Sequence, residues 1–439
     1  MKITVIGLGY LGATHAIAMA ELGHDVIGIE ANPQRLSDLQ NGKVPFYEPG
    51  LPEALVSVLA KGNIVFKADH DSESLEADLH FLCVGTPQLP GSYAANTEYL
   101  HSAVQALAPY LREDAVVAGK STVPVGTSAE LALALQAATG NRPHLVWNPE
   151  FLREGTALED SLRPDRIVIG VNDEHSETVM RKVYESITDL GTPFIVTDIP
   201  TAELVKVAAN SFLATKISFI NAMAEIAEVS GADAVQLAQA IGYDERIGNK
   251  FLRNGIGFGG GCLPKDIRAF MARADELGVG SAVDFLADID AINLRRRSRV
   301  VDLVTQELGD LTGKKVTVLG AAFKPDSDDL RDSPAIAVAQ LLQAAGADVL
   351  VHDPISLDQV NLHYPALATE QDLMVAATDA DALVLATEWR EYRDADPAVL
   401  AAVVANALII DGRNALAVER WQNAGWRLIA LGRNVEASI

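Results

Sequence analysis

The stretch Gly257-Phe258-Gly259-Gly260-Gly261-Cys262-Leu263-Pro264-Lys265-Asp266 is the part of this sequence best equipped for chemistry. Its glycines leave the backbone free, and it carries one thiol close to an ammonium and a carboxylate. Between Arg246 and Arg268 stand five bases (Arg246, Lys250, Arg253, Lys265, Arg268) against one acid, Asp266. In a chain with 59 acids and 35 bases that reversal points to an anionic ligand. A positive field also draws a thiol, whose ordinary pKa is about 8.5, toward the nucleophilic thiolate. A cysteine is more often a small buried hydrophobe. That reading suits Cys83, inside the apolar run 79–84, whereas Cys262 in a polar glycine loop reads as a nucleophile. Lys206 and Asn210 are four apart in a helical pattern, hence on one face, where they could present donors to a developing oxyanion. Asn148-Pro149-Glu150 predicts a helix start with Asn148 as cap, which would set Glu150 and Glu154 on one face. Thr122 lies in Ser121-Thr122-Val123-Pro124, just past a strand end. The nine histidines are scattered and none has metal-ligand spacing to Cys or acids, so no metal site is expected.

A second constellation opens the chain. Gly7-x-Gly9-x-x-Gly12 follows a strand, begins a helix, and is followed by a second strand ending at Glu30. In that context Gly7 allows the tight turn, Gly9 the approach of a pyrophosphate, and Gly12 the packing of helix on sheet. The helix N-terminus suits phosphate. Glu30 stands where a carboxylate bonds the ribose 2′ hydroxyl and would repel a 2′-phosphate, so the cofactor expected is NAD rather than NADP. After residues 316–319 the run Gly320-Ala321-Ala322-Phe323 lacks this fingerprint, and a dinucleotide is not expected there. Lys324, Arg331 and Arg413 stand at or after strand ends of that region, where open sheets bind ligands.

These groups need a scaffold. Strand-like runs at 2–6, 25–29, 64–66, 79–84, 115–119, 145–147 and 166–171 alternate with helical patterns, which predicts a parallel doubly wound sheet. Residues 201–230 and 281–308 predict two long helices without strand signals between them. Near Gly313 the rhythm returns, with strands at 316–319, 348–352, 382–386 and 408–411 and a helix at 333–345. The expected fold is therefore α/β: two Rossmann-like doubly wound α/β domains joined by a central all-helical segment. The expected divisions are 1–200, 201–310 and 311–439. A coarse duplication, strand–glycine–helix, is expected at residue 2 and again at 315. A net charge of −24 excludes general affinity for nucleic acid or anionic lipid. Two cysteines point to a reducing compartment, and the chain shows no spanning apolar run and no leader-like start, so a cytoplasmic protein is expected. The helical middle has more apolar surface than one thin layer hides, which predicts a homodimer.

Taken together the motifs resemble the nucleotide-sugar 6-dehydrogenases, and among them those acting on UDP-glucose. The resemblance spans nearly the whole chain. It rests on Gly7-Leu8-Gly9-Tyr10-Leu11-Gly12, Tyr47-Glu48-Pro49-Gly50-Leu51, Ser121-Thr122-Val123-Pro124-Val125-Gly126 and Asn148-Pro149-Glu150-Phe151-Leu152-Arg153-Glu154-Gly155. It continues through Lys206–Asn210, Arg246-Ile247-Gly248-Asn249-Lys250-Phe251-Leu252, the Cys262 loop, Phe323-Lys324-Pro325 and Asp411-Gly412-Arg413. It implies a four-electron oxidation of a sugar C6 alcohol to a carboxylate with two NAD. Cys262 would trap the aldehyde and become a thioester, Lys206 and Asn210 would stabilise the oxyanion, Thr122 and Asp266 would hold a water, and Glu150 would act as base. Gly7, Gly9, Tyr10, Leu11, Gly12, Glu30, Arg35, Thr86, Thr122, Glu154, Lys265 and Arg331 would surround NAD. Phe151, Leu152, Glu154, Lys206, Asn210, Arg246, Phe251, Arg253, Gly257, Phe258, Lys324 and Arg413 would contact the nucleotide sugar, Arg246 that of the neighbouring subunit. Other sugars (dTDP-glucose, GDP-mannose, UDP-N-acetylhexosamine) and a two-electron β-hydroxyacid oxidation are the alternatives. A non-catalytic NAD sensor would leave Cys262, Lys206 and Asp266 without a reason to coexist.

Overall fold

Short β-branched runs form the strands, and alanine- and leucine-rich stretches form the helices that cover them. The computed structural model describes residues 1–433, so the last six residues of the third expected domain lie outside the described residues. The first sheet has eight strands: β1 (Lys2–Ile6), β2 (Asp25–Ile29), β3 (Ile64–Lys67), β4 (Leu79–Leu82), β5 (Val116–Gly119), β6 (His144–Trp147), β7 (Ile167–Gly170) and β8 (Phe194–Thr197), in the order β3-β2-β1-β4-β5-β6-β7-β8. Its first six strands are parallel, as expected. β7 pairs with β6 antiparallel through Trp147 and Gly170, so the wholly parallel sheet is corrected at that edge. β8, absent from the sequence reading, extends β7 in parallel.

The second sheet comprises β9 (Lys315–Leu319), β10 (Asp348–His352), β11 (Ala368–Thr369), β12 (Ala382–Leu385), β13 (Leu408–Asp411) and β14 (Arg427–Ala430). Its order, β11-β10-β9-β12-β13-β14, repeats the 3-2-1-4-5-6 order of the first six strands, and all its pairs are parallel. That order places a switch point between β1 and β4, and another between β9 and β12, where such sheets bind ligands. The expected duplication is only partly present. The Tyr10–Glu21 helix follows Gly9 directly, whereas the counterpart Pro334–Ala344 helix begins after a long loop from Gly320.

Packing groups the chain into two compact units. One is Met1–Ala209 with Ala269–Gly280, and the other is Asn210–Arg268 with the chain from Ser281 onward. The Ile199–Ser230 and Leu263–Glu276 helices each contribute to both. The second long helix is Phe285–Leu308, starting four residues later than expected. Buried Ile3, Val5, Phe81, Val116 and Val146 centre the first core; Val316, Val318, Val351, Val384 and Ile410 centre the second. No helix among the described residues is long and apolar enough to cross a membrane.

Candidate active site

In the first unit the glycine fingerprint is a physical cradle. The Gly7 N–H donates to the Ile29 carbonyl at 2.9 Å, tying the loop to β2. A Cβ on Gly12 would collide with the Gly7 carbonyl, while Gly9 borders open space. The Tyr10–Glu21 helix has Gly9 at its N-cap, no capping side chain and no acid in its first turn. Its first-turn N–H groups are thus left for an anion, with the positive end of the helix behind them. Glu30, 5% exposed, accepts from the Leu8 N–H (3.0 Å), the Asn32 N–H (2.8 Å) and Arg35 Nη1 (3.1 Å). A carboxylate has about four acceptor positions, so one remains for a ribose hydroxyl. These residues fit a dinucleotide. The second sheet does not: there Asp353 accepts from the Ala321 and Ala322 N–H groups (2.7 and 3.1 Å), and Ser333 caps the following helix. The chain's own side chains take the donors a pyrophosphate would need.

The same unit holds the first set of candidate catalytic groups. The Thr86 hydroxyl donates to the Thr122 carbonyl at 2.7 Å, joining the segments that leave β4 and β5. Glu150 is not in a helix. Residues 148–153 are extended and irregular, and the helix begins only at Ala157, which corrects the predicted start at Asn148. The reason is tertiary: the buried Asn148 amide donates to the Val168 carbonyl (2.8 Å) and accepts from the Tyr184 hydroxyl (2.7 Å) and Lys120 (3.2 Å), so it has no acceptor left for a cap. Glu150 and Glu154 therefore do not share a helical face. Glu150 pairs with Lys206 at 2.9 Å and accepts the Leu152 N–H, and Lys206 Nζ lies 5.7 Å from the Phe151 ring. Glu150, Phe151, Leu152 and Lys206 are thus brought together around one ammonium that is 5% exposed. Lys206 and Asn210 do lie one turn apart on the Ile199–Ser230 helix, as expected.

In the second unit the Cys262 thiol is exposed at the head of the Leu263–Glu276 helix, and the Cys262 carbonyl accepts the Asp266 N–H at 2.9 Å. The positive end of that helix favours thiolate. Asp266, 1% exposed, accepts from the Asn210 amide (2.7 Å) and pairs with Lys265 (2.7 Å). The glycines before Cys262 serve close approach rather than mobility. The Gly255 N–H donates to Asn221, the Phe258 N–H to Asn293 (2.7 Å), and the Gly260 N–H to the Arg331 carbonyl (2.9 Å). A Cβ on Gly261 would collide with the Arg331 guanidinium. The local excess of bases is mostly matched: Arg246 pairs with Asp244, Arg253 with Glu388, and Arg268 with Asp290 and Asp332. Arg413 sends its donors to the Ala386, Gly257 and Phe323 carbonyls (2.7, 3.0 and 3.0 Å), joining the cysteine loop to the second sheet. Burial pulls its guanidinium below its ordinary value, against the charge of Glu388. Arg331 is held bidentately by Asp329, and Lys324 lies 5.4 Å from the Phe323 ring. Phe251 and Arg246 are exposed.

Residues 1–188 match the NAD binding domain of the UDP-glucose/GDP-mannose dehydrogenase family, 200–295 its central domain, and 317–418 its UDP binding domain. The chain belongs to the UDP-glucose/GDP-mannose dehydrogenase family. Its family fold is the two Rossmann-like sheets with helical central segment described above, its cofactor is NAD, and it is an NAD-dependent dehydrogenase. A family relative, the UDP-glucose 6-dehydrogenase of Rhizobium meliloti (strain 1021), is 40% identical over 437 residues, covering 99% of this chain and 100% of its own length. A UDP-glucose dehydrogenase structure from Pyrobaculum islandicum is similar with a TM-score of 0.89 at 36% identity, covering 99% and 97% of the two chains. A UDP-D-ManNAc dehydrogenase from Pyrococcus horikoshii reaches 0.86 at 26% identity, covering 99% and 100%.

Four further residues of this family member, Glu48, Glu203, Arg273 and Lys120, stand around these segments, and the sequence reading assigned none of them a role. Glu48, 2% exposed, accepts the Tyr10 hydroxyl and the Gly155 and Ala157 N–H groups (both 2.7 Å), linking the dinucleotide loop to the turn that carries Glu154. Glu203 accepts the Gly126 and Ser128 N–H groups, both at 2.8 Å, and Arg273 donates to the Val125 carbonyl at 2.8 Å. Burial raises the Glu203 carboxyl despite those two donors. Lys120 is buried behind Asn148. Among the described residues no cluster of His, Cys, Asp and Glu could hold a metal ion.

Proposed function

We propose that this chain oxidises UDP-glucose at C6 to UDP-glucuronate by four electrons, through a covalent intermediate on Cys262. The observation that carries the reading is an exposed thiol at a helix head, with a buried Asn210–Asp266 pair within one turn, in a chain that binds NAD. Relatives named for UDP-glucose support the sugar. When bound, NAD supplies a two-electron hydride acceptor, and the cradle at Gly7, Gly9, Gly12 and Glu30 would hold it with Tyr10, Leu11, Arg35, Thr86, Thr122, Glu154, Lys265 and Arg331 nearby. Loss of the first hydride, with the hydroxyl proton released to water, converts the C6 alcohol to an aldehyde. The Cys262 sulfur then adds to the carbonyl carbon, and the oxygen, taking a proton, becomes the hydroxyl of a thiohemiacetal. Loss of the second hydride and of that proton leaves a thioester. Water, held by Thr122 and Asp266 and deprotonated by Glu150, attacks the acyl carbon; the C–S bond breaks and Cys262 returns as thiolate. Lys206 and Asn210 donate to the oxyanion at each addition.

Phe151, Leu152, Glu154, Phe251, Arg253, Gly257, Phe258, Lys324 and Arg413 would seat the nucleotide sugar. The working division 1–200, 201–310 and 311–439, a cytoplasmic setting and a homodimer belong to the same proposal. Phe212, Phe219 and Ile226, seven apart on the long helix and 66%, 47% and 56% exposed, support the dimer, with Arg246 reaching the neighbour's substrate. The test is NADH absorbance with UDP-glucose, dTDP-glucose, GDP-mannose, UDP-N-acetylhexosamines and a β-hydroxyacid. The highest kcat/KM should belong to UDP-glucose; a higher value for another substrate would replace it.

A further inference from the structure

We propose that Asn293 is a positioning residue for Cys262: its buried amide clamps both backbone groups of Phe258 and so fixes the loop that carries the thiol. This rests on the reading of Cys262 as the nucleophile. The residues from Phe251 to Cys262 form no helix or strand, so their place depends on what holds them. Asn293 is fully buried on the Phe285–Leu308 helix. The Phe258 N–H donates to Asn293 Oδ1 at 2.7 Å, and Asn293 Nδ2 donates to the Phe258 carbonyl at 3.0 Å. One side-chain amide thus takes the part that a neighbouring strand would play. The approach is close: a Cβ on Gly257, whose φ is +93°, would stand 2.4 Å from Asn293 Oδ1.

Asn293, Arg296 and Arg297 share one face of their helix. Arg297 Nη2 adds a longer bond to the Phe258 carbonyl (3.4 Å), and Arg296 Nε donates to the Gly255 carbonyl (3.2 Å). A guanidinium has no acceptor, so neither arginine can take over the Phe258 N–H. Phe258 is coupled to the thiol in two ways. Along the chain it stands four residues before Cys262. Across the core it is buried in a small cluster with Ala214, Ile267 and Ile289, against which Leu263 packs. Leu263 and Ile267 belong to the helix that follows Cys262, so a shift of Phe258 moves loop and helix head together. Addition to a carbonyl tolerates little error, and a misplacement of about 1 Å can cost about 10²-fold in rate. Of the two oxidations, the second is the one that needs sulfur bonded to C6. With the thiol out of place, the first still delivers a hydride to NAD and a proton to water, and the aldehyde leaves before sulfur adds.

The experiment compares the full-length chain with Asn293→Ala, Asn293→Ser, Val304→Ala and Cys262→Ala. It reads kcat, Tm and the NADH formed per UDP-glucose consumed. Released aldehyde is reduced with borodeuteride after the quench and counted by mass spectrometry as UDP-glucose bearing deuterium at C6. Val304 is buried three turns further along the same helix, and its truncation is the control for lost stability alone. Both Asn293 variants should lower kcat at least about tenfold, form fewer than two NADH per sugar, and return the balance as deuterated UDP-glucose. A purely structural role predicts that they behave like Val304→Ala, with a lower Tm but two NADH per sugar and no deuterium, and that result would overturn the proposal. If Asn293→Ala does not fold, Asn293→Ser, which keeps a hydroxyl at the site, decides. Two NADH per sugar in Cys262→Ala would sink the covalent reading and this proposal with it. Aldehyde from Cys262→Ala but none from the Asn293 variants would sink this proposal alone.

Discussion

In the proposed reaction Cys262 owes its reactivity to its place. It precedes a 14-residue helix, and Asp266 in that helix's first turn accepts a buried hydrogen bond from Asn210 of the Ile199–Ser230 helix. Serine in the same place lacks an adjacent base, so Cys262→Ser should lose most of kcat while NAD binding persists. Lys206→Ala should lower kcat about 10²–10³-fold, the usual loss for one oxyanion donor. In Glu150→Gln, mass spectrometry after acid quench should find the sugar acyl group on the peptide bearing Cys262; unmodified peptide at steady state would speak against the base assignment. Three donors fix the Glu30 carboxylate at the end of β2, where the proposed site would set it against a 2′-phosphate of like charge. NAD should be preferred over NADP by at least about tenfold in kcat/KM, roughly 1.4 kcal/mol, and equal values would contradict this. The placement of Lys206 and Asn210 on one helical face, of Cys262 in a glycine loop and of Glu30 at a strand end was legible, because residue type and local spacing carry it. Glu48 and Glu203 were not, since their donors come from 38 to 109 residues away along the chain. Asn148 was misread for the same reason: a local cap signature lost to tertiary hydrogen bonds.

The elements that position these residues are two sheets of one strand order with different loops. Most strands of both were legible, because buried parallel strands read as apolar β-branched runs. β8, β11 and β14 were missed: each is a short edge strand, and none is fully buried. The first sheet also buries imidazole. His80 in β4 sits opposite Thr4 in β1, fully buried, with its Nδ1 2.7 Å from the Thr4 hydroxyl. Burial lowers it from 6.5 to about 3, and His15, His24 and His70 are lowered by burial as well. The unfolded chain therefore binds more protons than the folded one between about pH 6.5 and 3. Stability from the neutral imidazole is fully present above that window and is lost as pH falls through it. Hydrogen-exchange protection of the β1 and β4 amides should fall from pH 7 to 4.5, and His80→Gln should flatten part of that fall. An identical fall in the variant would contradict the role of His80.

At the scale of the whole molecule, the long helix carries Phe212, Phe219 and Ile226 on one exposed stripe. Replacing Phe212 and Phe219 by Asp should convert a dimer to monomers in light scattering, and a dimer that persists would exclude this face. A mixture of Arg246→Ala and Cys262→Ala chains should regain some activity if heterodimers form. In the proposed reaction one chain carries the sugar through two oxidations, and NADH formed per UDP-glucose consumed, with the sugar limiting, tests this directly. Two NADH per sugar, with glucuronate as product, is the expected result. One NADH per sugar, with the aldehyde released, would contradict the covalent path through Cys262.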